Sequence, residues 1–117
     1  MKPEPKVCDL LGALSRMGGD RPLLKKLVEL FQEDGPVYLA RLQAAVEEEY
    51  AAGLQHAAHS LNGLVANFGA QAASAAALRL EEMGRNGDVS AAAEAMETLE
   101  QEIVRLQTSL ARELKDL

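Results

Sequence analysis

The sequence predicts an all-α fold, an antiparallel up-and-down four-helix bundle with a short additional helix at its N-terminal end. Hydrophobic residues make up 48% of the 117 residues and aromatic residues only 3%. Much of the apolar set is alanine and leucine, which favour helix over strand. Apolar residues recur at spacings of three and four along several segments, and the short connections between those segments place neighbouring helices antiparallel.

The first elements are predicted from proline, glycine and capping residues. Two prolines and alternating charges in residues 1–6 indicate a disordered lead-in before a single domain of residues 7–117. A short helix follows in VCDLLGALSRM and ends at the next two glycines. Asp20 is then expected to cap a long helix with Pro22 in its first turn, where the amide that proline lacks has no helical partner.

The apolar stripe of this long helix continues through Pro36. It consists of Leu24, Leu27, Val28, Phe31, Tyr38, Leu42, Ala45 and Val46. Proline removes a backbone hydrogen bond, so one kinked helix and two stacked helices both fit the pattern. We favour one kinked helix, because a loop would usually reset the register. We expect it to end near residues 51–53, where Gly53 can adopt the left-handed cap conformation.

Three further helices complete the predicted bundle. The third spans about residues 54–68 and the fourth about residues 70–83, GRNGD forms a turn, and Asp88 caps the last helix. A coiled-coil seam would also explain the apolar row of that helix. Because three other amphipathic helices need a partner, we favour the interpretation that the row forms one wall of an intramolecular bundle, and we expect a monomer. The row is Met96, Leu99, Ile103, Leu106, Leu110, Leu114 and Leu117.

Charge and cysteine content exclude several classes of protein. The net charge of −6, with no cluster of lysine and arginine, argues against a nucleic-acid partner. Cys8 is the only cysteine, so neither an intrachain disulfide nor a multi-cysteine metal site can form. The N-terminus lacks the apolar region of a signal peptide, and no run of about 18 apolar residues occurs. We therefore expect a cytoplasmic protein with no membrane insertion.

Both histidines lie in HAAHSLNGLVANFGA, residues 56–70. At about 100° per residue, the apolar residues around Leu61 form one stripe, and His59 lies about 160° from its centre. His59 is therefore expected in solvent, with Gly63 one turn further on. Glycine inside a helix costs about 0.5–1 kcal/mol relative to alanine, which suggests that room is kept for a large group. The alternative is that Gly63 permits a close helix contact and His59 is an ordinary surface residue.

His56 lies about 60° from His59 around the helix, so a two-histidine metal site is conceivable. Zinc and di-iron sites on helices need further carboxylate, histidine or cysteine ligands. Neither Glu-x-x-His nor His-Glu-x-x-His occurs in the sequence. We expect no metal, and we interpret His56 as a solvated neighbour that is a candidate for tuning the basicity of His59.

The stretch AHSLNGLVANFGA resembles the signature of histidine-containing phosphotransfer (Hpt) domains, in which Ala-His-x-Leu-Lys-Gly precedes a small-residue run and Gly-Ala. The matching positions are Ala58, His59, Leu61, Gly63, Gly69 and Ala70. GGDRPLLKKLVELFQED before the signature and the Leu80-Glu81 pair after it are similar to the flanking helices of the family. The resemblance extends from about Leu10 onward.

The resemblance implies that His59 is the phosphoacceptor of a two-component His-Asp phosphorelay. Its neutral imidazole would attack an aspartyl phosphate on one receiver domain and pass the phosphoryl group to another. Partners would be response-regulator receiver domains, with a hybrid sensor kinase as a further candidate. No cofactor would bind this chain, because Mg²⁺ belongs to the receiver. The implied site neighbourhood is Asn62, Gly63, His56 and Ala66, with Asn67, Gln55 and parts of the second helix as receiver-docking residues.

Asn62 departs from the family pattern, which has lysine there. A charge-assisted hydrogen bond is roughly twice as strong as a neutral one, so transfer could be slower, phosphohistidine less stable or partner choice altered. The sequence has no nucleotide-binding loop, so a phosphotransfer protein without kinase activity of its own is expected. A sensor-kinase dimerisation domain ranks lower, because Ser60 rather than an acidic residue follows His59. A receiver-binding adaptor that does not turn over and a plain helical-bundle interaction module remain open alternatives.

Overall fold

The structure, a computed structural model, describes residues 6–117. This part of the chain contains five α-helices, one short 3₁₀ helix and no strand, which confirms the all-α prediction. Apart from Lys6, the lead-in predicted for residues 1–6 lies outside the described residues. The helices are α1 (Leu10–Arg16), α2 (Arg21–Glu47), α3 (Ala51–Val65), the 3₁₀ helix (Ala66–Phe68), α4 (Gln71–Asn86) and α5 (Ala92–Lys115).

Helices α2 to α5 form a bundle in which each helix packs on the next and α5 returns to α2. Two hydrogen bonds show that α2 and α5 run in opposite directions. Arg21 donates to the carbonyl of Leu117, and Gln32 donates to the carbonyl of Gln107. Helix α1 packs across one end, against the 3₁₀ helix, α2 and α5. No helix within residues 6–117 has the length and apolar character needed to cross a membrane.

The core is built from the apolar stripes that the sequence predicts. The aromatic rings of Phe31 and Phe68 meet edge to face with centroids 5.7 Å apart, which ties α2 to the 3₁₀ helix that follows α3. The apolar row of α5 is buried inside the bundle as far as Leu110, and Leu114 and Leu117 are partly buried beyond it. The row therefore serves as a wall of the bundle.

Helix α2 begins as predicted and is a single helix. The Asp20 carboxylate accepts a hydrogen bond from the amide of Leu23 at 3.1 Å, and Pro22 occupies the first turn. The helix continues without interruption through Pro36 as far as Glu47. The continuity of the apolar register across a proline was thus a sound indication of one helix rather than two.

The connection between α2 and α3 differs from the prediction, which placed the end of α2 near Gly53. Instead, α2 ends at Glu47, and Glu49 is the residue with the left-handed backbone, at φ 53°. Gly53 lies inside the first turn of α3, where a Cβ atom would be 2.7 Å from the ring of Tyr50. Glycine is used here to let an aromatic ring pack on the helix, not to end one.

The ends of the later helices also correct the predicted boundaries. Helix α3 ends at Val65 and is followed by the 3₁₀ helix. Helix α4 extends to Asn86, so three of the five residues of GRNGD are helical. Gly87 ends α4 with a left-handed backbone, at φ 69°. Asp88 does not cap α5. Its carboxylate accepts hydrogen bonds from the amide and the hydroxyl of Ser90 in a local turn. Asp88 lies four residues before the first residue of α5.

Gly84 lets α3 and α4 approach closely. A Cβ atom at this position would lie 2.5 Å from the amide nitrogen of Gln55 and 2.6 Å from the carbonyl oxygen of Ala51. Real Cβ atoms do not come so near to backbone, so only glycine fits here. The α4 residues one turn before Gly84 are thereby brought against the middle of α3.

Candidate functional site

His59 stands in the middle of α3 on the face opposite the core. Its side chain is 78% exposed. The helical periodicity of the sequence predicted this exposure, and the structure confirms it. The residues that α3 buries are Leu54, Ala57, Ala58, Leu61 and Val65.

The imidazole of His59 is held by a buried carboxylate of α4. Nδ1 of His59 lies 2.5 Å from Oε1 of Glu81, whose side chain is only 5% exposed. The other carboxylate oxygen, Oε2, accepts from Nη2 of Arg85 at 2.9 Å. A carboxylate inside a protein needs such partners, because burying it unpaired would cost several kcal/mol. His59, Glu81 and Arg85 therefore form one hydrogen-bonded network on the surface of the bundle.

This network decides which ring nitrogen can react. The ionised carboxylate of Glu81 has only acceptor oxygens, so the proton of a neutral imidazole is placed on Nδ1, which donates it. The lone pair is then on Nε2, at the other side of the ring. Because the His59 side chain is largely exposed, Nε2 of the neutral ring is available as a nucleophile and needs no separate base.

Gly63 leaves the space beside His59 open. A Cβ atom built on Gly63 would have no neighbouring atom within 4 Å. The alternative that this glycine permits a close helix contact is therefore wrong, and Gly84 on α4 has that role instead. An approaching group meets no side chain at the position one turn beyond His59.

Asn62 is directed towards α4 rather than along the exposed ridge. Its Oδ1 accepts a hydrogen bond from the hydroxyl of Ser74, and the residue is partly buried. The oxygen of the asparagine that stands in place of the family's lysine is therefore already engaged by a neighbouring helix.

The remaining residues of the implied site lie on different parts of the surface. His56 and Gln55 share an open pocket of about 430 Å³ with His59, Ala52 and Arg85. Ala66 is exposed and lines a separate groove between the 3₁₀ helix and α4. The side chain of Asn67 donates a hydrogen bond to the carbonyl of Leu64, one of the carbonyls at the C-terminal end of α3.

The comparison with known families agrees with this geometry. Residues 26–109 match the model of the Hpt domain family. The chain belongs to this family. Hpt domains serve histidine phosphotransfer in two-component phosphorelays, and their helical bundle is the fold seen here.

A solved structure supports the assignment to the Hpt domains. The chain is similar to histidine-containing phosphotransfer protein B (HptB) from Pseudomonas aeruginosa PAO1, with 25% sequence identity and a TM-score of 0.86. The similarity covers 97% of this chain and 99% of the HptB chain. A comparison with curated protein sequences finds no match.

Two residues at the centre of this Hpt site, Glu81 and Arg85, were not identified from the sequence as partners of the histidine. Glu81 occupies a buried position of α4, together with Ala77, Leu80 and Gly84. An acidic residue inside an apolar stripe was the available signal, since a buried carboxylate must meet a donor or a cation. Arg85 follows at the i,i+4 spacing that favours an ion pair.

The cysteine of this Hpt domain is not a second nucleophile. Cys8 is buried, and its thiol donates to the carboxylate of Glu113. Burial, together with the adjacent Glu113, raises the pKa of Cys8 to about 12. The thiol is thus protonated at neutral pH, whereas the thiolate is the reactive form. Within residues 6–117, no group of three or more histidine, cysteine, aspartate or glutamate side chains is arranged to hold a metal ion.

Proposed function

We propose that His59 is the phosphoacceptor of this Hpt domain and an intermediate between two receiver domains in the cytoplasm. The observation that carries the proposal is the exposed imidazole whose Nδ1 is held by buried Glu81. The lone pair of Nε2 attacks the phosphorus of an aspartyl phosphate. A bond forms between nitrogen and phosphorus, the bond from phosphorus to the aspartate oxygen breaks, and the aspartate leaves as a carboxylate. Transfer to a second receiver is the same step in reverse, and Mg²⁺ is expected on the receiver.

The function is tested by transfer of label from a receiver. The purified chain is mixed with a panel of phosphorylated receiver domains in the presence of Mg²⁺, and the phosphate it acquires should be acid-labile and alkali-stable. Receivers that bind without labelling the chain would favour the adaptor hypothesis. If no receiver binds, the plain interaction module becomes the better explanation.

Glu81 is a positioning residue in this function. When Nε2 acquires the phosphoryl group, the ring carries positive charge as long as Nδ1 keeps its proton. The Glu81 carboxylate accepts a hydrogen bond from this Nδ1–H group. Because the Glu81 side chain is nearly buried, its electrostatic attraction to the charged ring is stronger than it would be in water. Because Glu81 is held by Arg85 and by packing on α4, it orients the ring before a receiver arrives.

We expect Glu81→Gln to slow transfer from a phosphorylated receiver on the order of tenfold to a hundredfold, the range found when the hydrogen-bond partner of a metal-binding histidine is removed. The carboxamide has no negative charge and no longer selects one tautomer. The ¹⁵N chemical shifts of the His59 ring should report Nδ1–H in the wild type and a mixture of tautomers in the variant.

The matched control for this prediction is Glu82→Gln, which removes an exposed carboxylate from the same helix. It should change neither the ring signals nor the rate. A Glu81→Gln protein that is folded, with the wild-type tautomer and the wild-type rate, would show that Glu81 does not position His59.

The receiver is proposed to dock on the surface formed by α2 and α3 beside His59. The side chains of Leu30 and Val37 on α2 are exposed, at 42% and 46%. Tyr38, which follows Val37, shares a groove with His56 and Ser60 of α3. His56 in turn lines the pocket that contains His59. Exposed apolar side chains that cluster on a surface are typical of protein interaction sites.

We expect Gly63→Leu to lower the rate of transfer from a receiver about a hundredfold, because the leucine would stand one turn from His59 and keep the receiver from approaching. The fold should be retained, since leucine is a better helix former than glycine and the space is open. Circular dichroism checks the fold, and label transfer checks the rate. Gly63→Ala is the matched control and should transfer nearly normally. Unchanged transfer in a folded Gly63→Leu protein would contradict the clearance argument.

A further inference from the structure

Phosphorylation would create a problem of charge at this site. A phosphoryl group adds roughly two negative charges near neutral pH. In this chain it would be attached to a ring whose other nitrogen contacts the carboxylate of Glu81. Position 62 supplies no compensating charge, and the oxygen of Asn62 is bonded to Ser74. A cation from elsewhere in the site would therefore stabilise the phosphoryl group.

Arg85 is placed to supply that cation. Its Nη2 contacts Glu81 at 2.9 Å, and its side chain is 54% exposed. It lines the same open pocket as His59 and His56. A guanidinium has five N–H donors, so the single contact with Glu81 leaves others for phosphoryl oxygens, which arginine binds well. The glycine at position 84, just before it, keeps α4 against α3 and so holds Arg85 near the histidine.

We propose that Arg85 binds the phosphoryl group on His59 and takes the place of the lysine that the family pattern has at position 62. This inference rests on the proposed function of His59 as the phosphoacceptor. The guanidinium donates to phosphoryl oxygens while the network with Glu81 continues to orient the ring. A cation contributed from α4 instead of α3 explains how the site accepts a phosphate with asparagine at position 62.

The experiment loads His59 with phosphoramidate, a small phosphodonor that needs no receiver, and follows the phosphohistidine by ³¹P NMR with His59→Gln as the blank. Arg85→Gln should shorten the lifetime of the phosphohistidine about tenfold, the effect of losing one charge-assisted hydrogen bond. Arg85→Lys should recover part of the lifetime. Arg79→Gln, which removes an exposed arginine of α4 outside the pocket, is the matched control and should behave like the wild type.

Rescue separates a ligand of the phosphoryl group from a merely structural partner of Glu81. Introducing Asn62→Lys into the Arg85→Gln protein should restore the lifetime, and the ¹⁵N signals of the unphosphorylated His59 ring should be the same in both proteins. A wild-type lifetime in Arg85→Gln would overturn the proposal. So would a short lifetime that Asn62→Lys does not restore and that accompanies a changed tautomer.

The two levels of inference fail in different ways. If neither phosphoramidate nor any receiver loads the wild-type chain at His59, the proposed function itself is wrong. If the wild type is loaded and transfers its label but Arg85→Gln is equally stable, only the assignment of Arg85 is wrong.

Discussion

Replacing His59 with glutamine is expected to reduce labelling by a phosphorylated receiver to background. Glutamine keeps a polar side chain of similar reach but has no nitrogen lone pair that can attack phosphorus. His59 is largely exposed, so the change should leave the core and the stability of the bundle almost unaffected. The loss should therefore be a loss of chemistry in a folded protein, which circular dichroism and acid-labile label measured on the same samples would establish.

The matched control for His59→Gln is the same substitution at the other histidine. His56 is exposed and lies in the same pocket, three residues earlier on α3. His56→Gln should still reach about one phosphoryl group per chain, whatever its effect on the rate, because the ring held by Glu81 is unchanged. Label that persists in His59→Gln and disappears in His56→Gln would show that His56, and not His59, is the phosphoacceptor.

The second large effect is expected on stability, from alanine substitutions at two glycines with opposite surroundings. Gly84→Ala should lower the free energy of unfolding by about 1–3 kcal/mol or more, because its Cβ atom would collide with the backbone of α3. Gly63→Ala should raise it by about 0.5–1 kcal/mol, because the added methyl group meets open space inside a helix. Urea unfolding of both variants, analysed with a common slope, measures the two changes.

The Gly84→Ala protein should also transfer phosphate more slowly. Any separation of α4 from α3 moves Glu81 away from His59, so a structural change at residue 84 is transmitted to the ring. If Gly84→Ala does not lower the stability, the close approach of the two helices is not where the structure places it. If Gly63→Ala lowers it, the space beside Gly63 is not open. Transfer that stays normal in a destabilised Gly84→Ala protein would show that the helices readjust without losing the contact.

Most of the fold could be predicted from the sequence, because helical periodicity is a local property. The apolar stripe that passes Pro36, the Asp20 cap and the row of α5 each depend on residues a few positions apart. Helix ends were less predictable. Gly53 is explained by the ring of Tyr50, and Asp88 by the hydroxyl and amide of Ser90, so residue type alone did not reveal which role each would take.

The exposure of His59 and its family motif were available from a single stretch of α3, since the direction of a side chain on a helix follows from its position along that helix. Only the tertiary structure decided what the ring contacts. Glu81 contacts His59 from α4 and is itself held by Arg85, and Gly84 lets the two backbones approach closely enough for this contact. A contact between helices depends on their separation and register, which the packing of the whole core sets, and no spacing within one segment encodes it.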